Sequence, residues 1–206
     1  MERPTSDIAF TPSVKSVQSA KGSRDNYARM EASGGWETTV TPRLTSFLKD
    51  LDMFYLGTSN ADGQPYIQYR GGSPGFLKAI DAQTLAWAEF GGNRQFISFG
   101  NLEDNPKAFI FLMDYENSRR IKIWGRAKVV EDDPELMASL SDPDYDAEVQ
   151  RAVVFTIEAW DVNCPQHIHK RVLVSEVEPI VADLKGQIAE LKDKLAAYET
   201  SVVPAS

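Results

Sequence analysis

Three short stretches of this chain carry side chains that could hold or transform a ligand. The first is Arg70 with Gly71-Gly72-Ser73-Pro74-Gly75 directly after it. The second is Gly91-Gly92-Asn93-Arg94-Gln95, and the third runs from Trp160 to Arg171 and includes Cys164, His167 and His169. A glycine pair lets the backbone turn sharply or lie close against a ligand, because neither residue carries a Cβ. An arginine beside such a pair adds a planar fork of donors that matches phosphate or carboxylate. Asn93, Arg94 and Gln95 also fall at the start of a short helical pattern, whose free N–H groups would serve the same anion. Arg120, at the start of a strand, is a further candidate cation. The third stretch offers less. A metal needs three or four convergent ligands, and Cys164, His167 and His169 have no companions, so no metal site is expected. Cysteine and histidine this close on an extended chain need not face each other, which argues against a nucleophilic pair. Asp142, Asp144 and Asp146 lack the glycine and closing glutamate of a calcium loop and read as a solvated acidic loop.

The elements that must position these residues are mostly strands. Met53–Thr58 and Pro65–Arg70 flank Asn60-Ala61-Asp62-Gly63, a strong hairpin signal. Phe76–Ile80 and Leu85–Glu89 form a second hairpin, and Lys107–Met113 with Ile121–Val130 a third. Arg151–Trp160 is a further strand, with Val153, Phe155, Ile157 and Ala159 expected on one face. Thr41-Pro42 and Asp133-Pro134 each start a helix, with an N-cap followed by proline at the first helical position. In the first of these helices Leu44, Phe47, Leu48 and Leu51 make one apolar stripe. Phe96, Ile97 and Phe99 belong to a short helix that ends before Asn105-Pro106. The pattern predicts a mainly β, α+β fold: a small six-stranded antiparallel barrel with short flanking helices, one strand fewer than the seven runs just named.

Residues 1–40 are rich in Ser, Thr, Gly and charge and read as an arm, either disordered or laid over a neighbouring subunit, with one short helix near Arg24–Glu31. Residues 41–176 form the barrel domain. In residues 177–206 the apolar positions Val181, Leu184, Ile188, Leu191, Leu195 and Tyr198 repeat at heptad spacing, as in an amphipathic helix that needs a partner surface.

The order Phe90-Gly91-Gly92-Asn93-Arg94-Gln95, short helix, Asn105-Pro106 and apolar strand resembles the pyridoxamine 5′-phosphate oxidase-like family of FMN-binding split β-barrels. The resemblance covers roughly residues 41–174. It implies FMN as cofactor, with Arg70, Gly71, Asn93, Arg94 and Gln95 around the phosphate and Arg120 against the flavin ring. Trp160 would close over the flavin, and His167 would line the substrate side. It further implies a homodimer with the flavin between subunits. Gln95 stands where the close oxidases carry lysine, so a neutral donor replaces one charge. The R-x-H pair that grips the vitamin in true pyridoxamine phosphate oxidases is missing from His167-Ile168-His169-Lys170-Arg171, so vitamin B6 is not the expected substrate. The expected activity is an FMN-dependent oxidoreductase with a small organic substrate stacked on the flavin. The alternatives are a non-catalytic flavin or haem binding or sensing protein, and a deazaflavin-dependent reductase on the same fold. No catalytic diad is visible, and a flavin enzyme requires none, because the cofactor carries the redox chemistry.

Composition sets the outer bounds. The 206 residues suit one domain with additions at its ends. A net charge of −8 disfavours nucleic acid and anionic membrane as partners. The one cysteine excludes an intrachain disulfide, and no apolar run has spanning length or signal-peptide character. A soluble, cytoplasmic protein is the expectation.

Overall fold

The structure is a computed structural model that describes residues 3–162 and 164–202, so Asn163 and the last residues of the expected tail lie outside the described residues. The chain forms two compact units. One holds the residues up to Asp114 and from Arg119 to Gln166; the other holds Tyr115–Ser118 and the residues from His167 onward.

In the first unit a 3₁₀ turn at Thr5–Ile8 leads into α1 (Pro12–Ala20), α2 (Arg24–Ala32) and α3 (Pro42–Leu48). Thr41 caps α3 by accepting the Leu44 N–H, and Pro42 stands at its first position as the sequence predicts. The strands are β1 (Met53–Ser59), β2 (Pro65–Gly71), β3 (Lys78–Ala79), β4 (Thr84–Phe90), β5 (Lys107–Asp114), β6 (Arg119–Val130) and β7 (Val149–Val162). The helix α4 (Ile97–Asp104) joins β4 to β5, and α5 (Pro134–Leu140) joins β6 to β7. All pairings are antiparallel, in the order β2-β1-β5-β6-β7-β4-β3. Among the described residues there are seven strands, one for each run named from the sequence, where a six-stranded barrel was expected. Phe76 and Leu77 enter the core, and only Lys78–Ala79 of that run pair with β4, adding a two-residue edge strand.

The register shows how this sheet closes. Arg70 pairs through Phe54, Leu112 and Ile121 to Val162 at the far end of β7. Yet the Arg70 side chain meets Glu89 of β4, which pairs with Arg151, eleven residues back along β7. A sheet whose two ends meet with such a stagger is a barrel with strongly tilted strands. Its interior is filled by Phe54, Leu56, Trp87, Ile110, Ile123, Phe155 and their neighbours. The Phe54 ring sits edge-on to Trp87 at 5.1 Å and stacks on Phe76 at 5.6 Å.

Two departures have local causes. Residues 5–40 are not a loose arm but lie on their own sheet. Trp36 stacks on Trp124 at 4.7 Å, Phe10 meets Trp36 edge-on at 5.0 Å, and the Glu37 carbonyl accepts the Trp160 N–H. On β7 the inward set Val153, Phe155 and Ile157 does not continue to Ala159. A bulge opposite Trp124 and Gly125 inserts one residue, and Trp160 instead joins the core. A Cβ on Gly125 would lie 2.1 Å from the Thr156 carbonyl oxygen, so the bulge requires glycine there.

In the second unit, α6 (Val174–Val202) follows an irregular segment in which the Arg171 guanidinium lies 4.5 Å from the Tyr115 ring centroid. No described helix is long and apolar enough to cross a membrane.

Candidate functional site

At the end of β2 the Arg70 guanidinium turns into the barrel mouth, where Glu89 ends the buried run of β4. Arg70 Nε lies 3.0 Å from Glu89 Oε1 but is not aimed at it: the buried Nε makes no hydrogen bond. Trp87 Nε1 donates to the same carboxylate at 2.7 Å. Glu89 is 5% exposed. Burial pushes its carboxyl above the ordinary range, against the opposing pull of Arg70 and the Trp87 N–H. Burial likewise lowers the Arg70 guanidinium, with Glu89 opposing. Arginine stays protonated in proteins, so the pair is a cation beside a reluctant carboxylate.

Arg151 of β7 completes the cluster. Its Nε is 2.8 Å from Glu131 Oε1 and is also buried without a hydrogen bond. The Arg151 guanidinium lies 5.3 Å from the Phe96 ring and 5.0 Å from the Phe99 ring, and Arg70 lies 6.0 Å from Phe99. These contacts join Arg70 to the segment that leads from β4 into α4. Two carboxylates match two guanidiniums here, so the cluster is formally neutral.

The added charge comes from the connecting loop. Residues 91–96 are exposed, and Arg94 has no ion pair among the described residues. Arg94 and Phe96 hold φ of 59° and 54°, the left-handed region that side chains other than glycine seldom adopt. The Asn93 side chain accepts the Gln95 N–H at 3.2 Å. Beyond the loop α4 is fastened to the barrel by Ser98 donating to Gln68 at 2.6 Å and Asn101 donating to Thr58 at 3.0 Å. A strained, charged loop between two anchored elements is a suitable seat for an anion.

The structure therefore brings Arg70, Gly71, Asn93, Arg94 and Gln95 to one end of the barrel. Arg120 lies three strands from Arg70, on the outward-facing side of β6 next to inward Ile121, and its buried Nε has no hydrogen-bonding partner. Trp160 is 3% exposed and donates from Nε1 to the Thr39 carbonyl at 2.7 Å. Its ring thus packs in the core and anchors residues 37–39, which leaves no free face for a ligand. His167 is exposed in the second unit, at φ 63°. Among the described residues no group of three or more His, Cys, Asp or Glu is placed to hold a metal. Glu89 and Arg151 are the site residues that the sequence reading passed over. The signal for Glu89 was a carboxylate on an otherwise apolar strand directly before the glycine loop.

Residues 40–171 match the family model described as pyridoxamine 5′-phosphate oxidase. The chain belongs to this family. No curated protein matches the chain. Among solved structures, HupZ of Group A Streptococcus is similar over 65% of this chain and 99% of its own, at 17% identity and a TM-score of 0.50. An FMN-binding protein from Syntrophomonas wolfei aligns with 71% of this chain and 97% of its own, at 14% identity and a TM-score of 0.45. A Clostridium acetobutylicum protein of the pyridoxinephosphate oxidase family covers 64% of this chain and 92% of its own, at 17% identity and a TM-score of 0.44. The family's split barrel is the fold observed here, with seven strands.

Proposed function

We propose that this family member is an FMN-dependent oxidoreductase that works as a homodimer on a small organic substrate. The observation that carries the reading is the loop at residues 91–96: strained, exposed, and holding in Arg94 a cation with no ion pair among the described residues, beside a cluster whose other charges cancel. The donor set fits a phosphate. Arg94, the Asn93 and Gln95 amides and the unshared donors of Arg70 would hold it, and the orphaned Nε of Arg120 is a donor suited to the flavin ring. Bound there, FMN would supply hydride and electron transfer. The chain's own part is to orient and to shield: Phe96 and Phe99 keep water from the guanidiniums, and α4 fixes the loop.

The filled interior supports a dimer. A tricyclic ring cannot enter a barrel occupied by Phe54, Trp87 and Phe155, so it must lie outside, where a second copy can complete the pocket. On that outside, Ile67 and Tyr69 are 69% and 59% exposed, with Tyr55 beside Tyr69.

FMN titration of protein stripped of ligand tests the reading. Arg94→Ala leaves the barrel untouched and should weaken FMN binding roughly tenfold or more, the loss of one charge-assisted contact. Parent-like affinity in that variant would refute the phosphate assignment, and failure of the parent to take up FMN would refute the cofactor. A 23.0 kDa particle that keeps its flavin on dilution would refute the shared site.

A further inference from the structure

We propose that α6 pairs with the α6 of a second copy of this chain as a parallel two-stranded coiled coil. The inference does not rest on the flavin reading. Val174, Val177, Val181, Leu184, Ile188, Leu191 and Leu195 recur at alternating spacings of three and four, and each is between 38% and 70% exposed. A shallow apolar recess of about 420 Å³ opens along the first turns, between Val172 and Lys185. An isolated helix gains little from its own hydrogen bonds in water, and a seam of this length needs a matching surface.

The residue types say which surface. With Val174 as a, the a positions are Val174, Val181, Ile188 and Leu195, and the d positions include Val177, Leu184 and Leu191. β-Branched residues at a with leucine at d favour two parallel strands. Pro179, Gly186 and Asp193 all fall at f, the outermost position, so the residues least suited to a helix are kept off the seam.

Charge selects the direction. In a parallel pair each g residue meets the e residue five positions on in its partner. Lys194 then meets Glu199, Gln187 meets Lys192, and the apolar Ile180 meets the stem of Lys185, with no like charges opposed. In an antiparallel pair e residues face e residues, and these are Glu178, Lys185, Lys192 and Glu199. Every register that overlaps three or more of them sets like charges together: Lys185 on itself, Lys192 on itself, or both lysines opposite each other with both glutamates likewise; a register that overlaps only two leaves much of the seam uncovered.

Site-directed crosslinking in the whole chain tests this. In a Cys164→Ser background, Leu184→Cys places a thiol at d and Asp193→Cys places one at f. Under mild oxidation the disulfide-linked dimer should form about tenfold faster at 184 than at 193, because only a parallel, in-register pair sets the two d side chains of one layer face to face. Adding Ile188→Glu in the seam should suppress linkage at 184, whereas Ala189→Glu at b should not. Absence of a linked dimer at 184, equal rates at 184 and 193, or indifference to Ile188→Glu would each overturn the proposal. All these positions are exposed, so the variants leave the barrel core intact.

Discussion

Replacing Arg70 with methionine should destabilise the fold by an amount that depends on pH. The substitution keeps an apolar stem of similar length and removes only the charged head. Glu89, 5% exposed, then loses its nearest cation. Breaking a buried pair by removing one partner costs about 3–5 kcal/mol. Arg151 also lowers the Glu89 carboxyl, and Trp87 Nε1 still donates to it at 2.7 Å, so the lower end of that range is expected. The sign of the pH effect follows from the raised carboxyl. A carboxyl whose folded value lies above its unfolded one contributes its full stability below the unfolded value. That contribution is lost as pH rises through the folded value. Without Arg70 the folded value climbs further, so the penalty is largest at pH 8 and shrinks toward pH 5 as Glu89 takes up its proton. What remains at the acid end is the packing difference, less than about 1.5 kcal/mol. Urea denaturation of parent and variant at both pH values, with unchanged slopes, measures this. Arg70→Met/Glu89→Gln should recover most of the loss at pH 8, since the amide oxygen still accepts from Trp87. A cost that is the same at both pH values, with no recovery in the double variant, would refute the coupling.

Two further outcomes are expected. Trp36→Ala should cost about 3–5 kcal/mol by removing a buried ring from between Phe10 and Trp124, and limited proteolysis should then cut within residues 5–40 before the barrel. Pyridoxamine and pyridoxine phosphates should be turned over at well below about 1 per second, because the R-x-H pair is absent; rates at or above that would overturn the exclusion.

Much of this architecture was legible in local signals. Asp62-Gly63 announced the first hairpin, and Thr41-Pro42 and Asp133-Pro134 announced their helices, because turn and cap chemistry act over a few residues. Long-range effects were not legible. The bulge on β7 shifts side-chain alternation by one, and nothing in a period-two pattern records where such a shift falls. That is why Trp160, read as a wall for a ligand, proves to be a core residue. The N-terminal segment misled for a related reason: its few aromatics, Phe10, Tyr27 and Trp36, lie far apart among polar residues, and only the fold gathers them. At the candidate site the glycine loop and its arginines were found by type. The Glu89 partner was not, because the meeting of Arg70 with Glu89 depends on the stagger of the whole barrel.

The same N-terminal segment has a consequence for association. β4 pairs with β7 only between Val149 and Thr156, so from Ile157 onward that side of β7 lacks a neighbouring strand. The Gln83 carbonyl takes the Ile157 N–H and the Glu37 carbonyl takes the Trp160 N–H. Residues 37–39 therefore act as a guard rail on an otherwise open sheet edge. A chain trimmed to begin at Thr41 would keep every barrel strand and the Gln83 contact, yet present the Trp160 N–H to solvent on that edge, where another molecule's strand could add to it. Self-association by edge pairing is the hazard that the first forty residues hold in check.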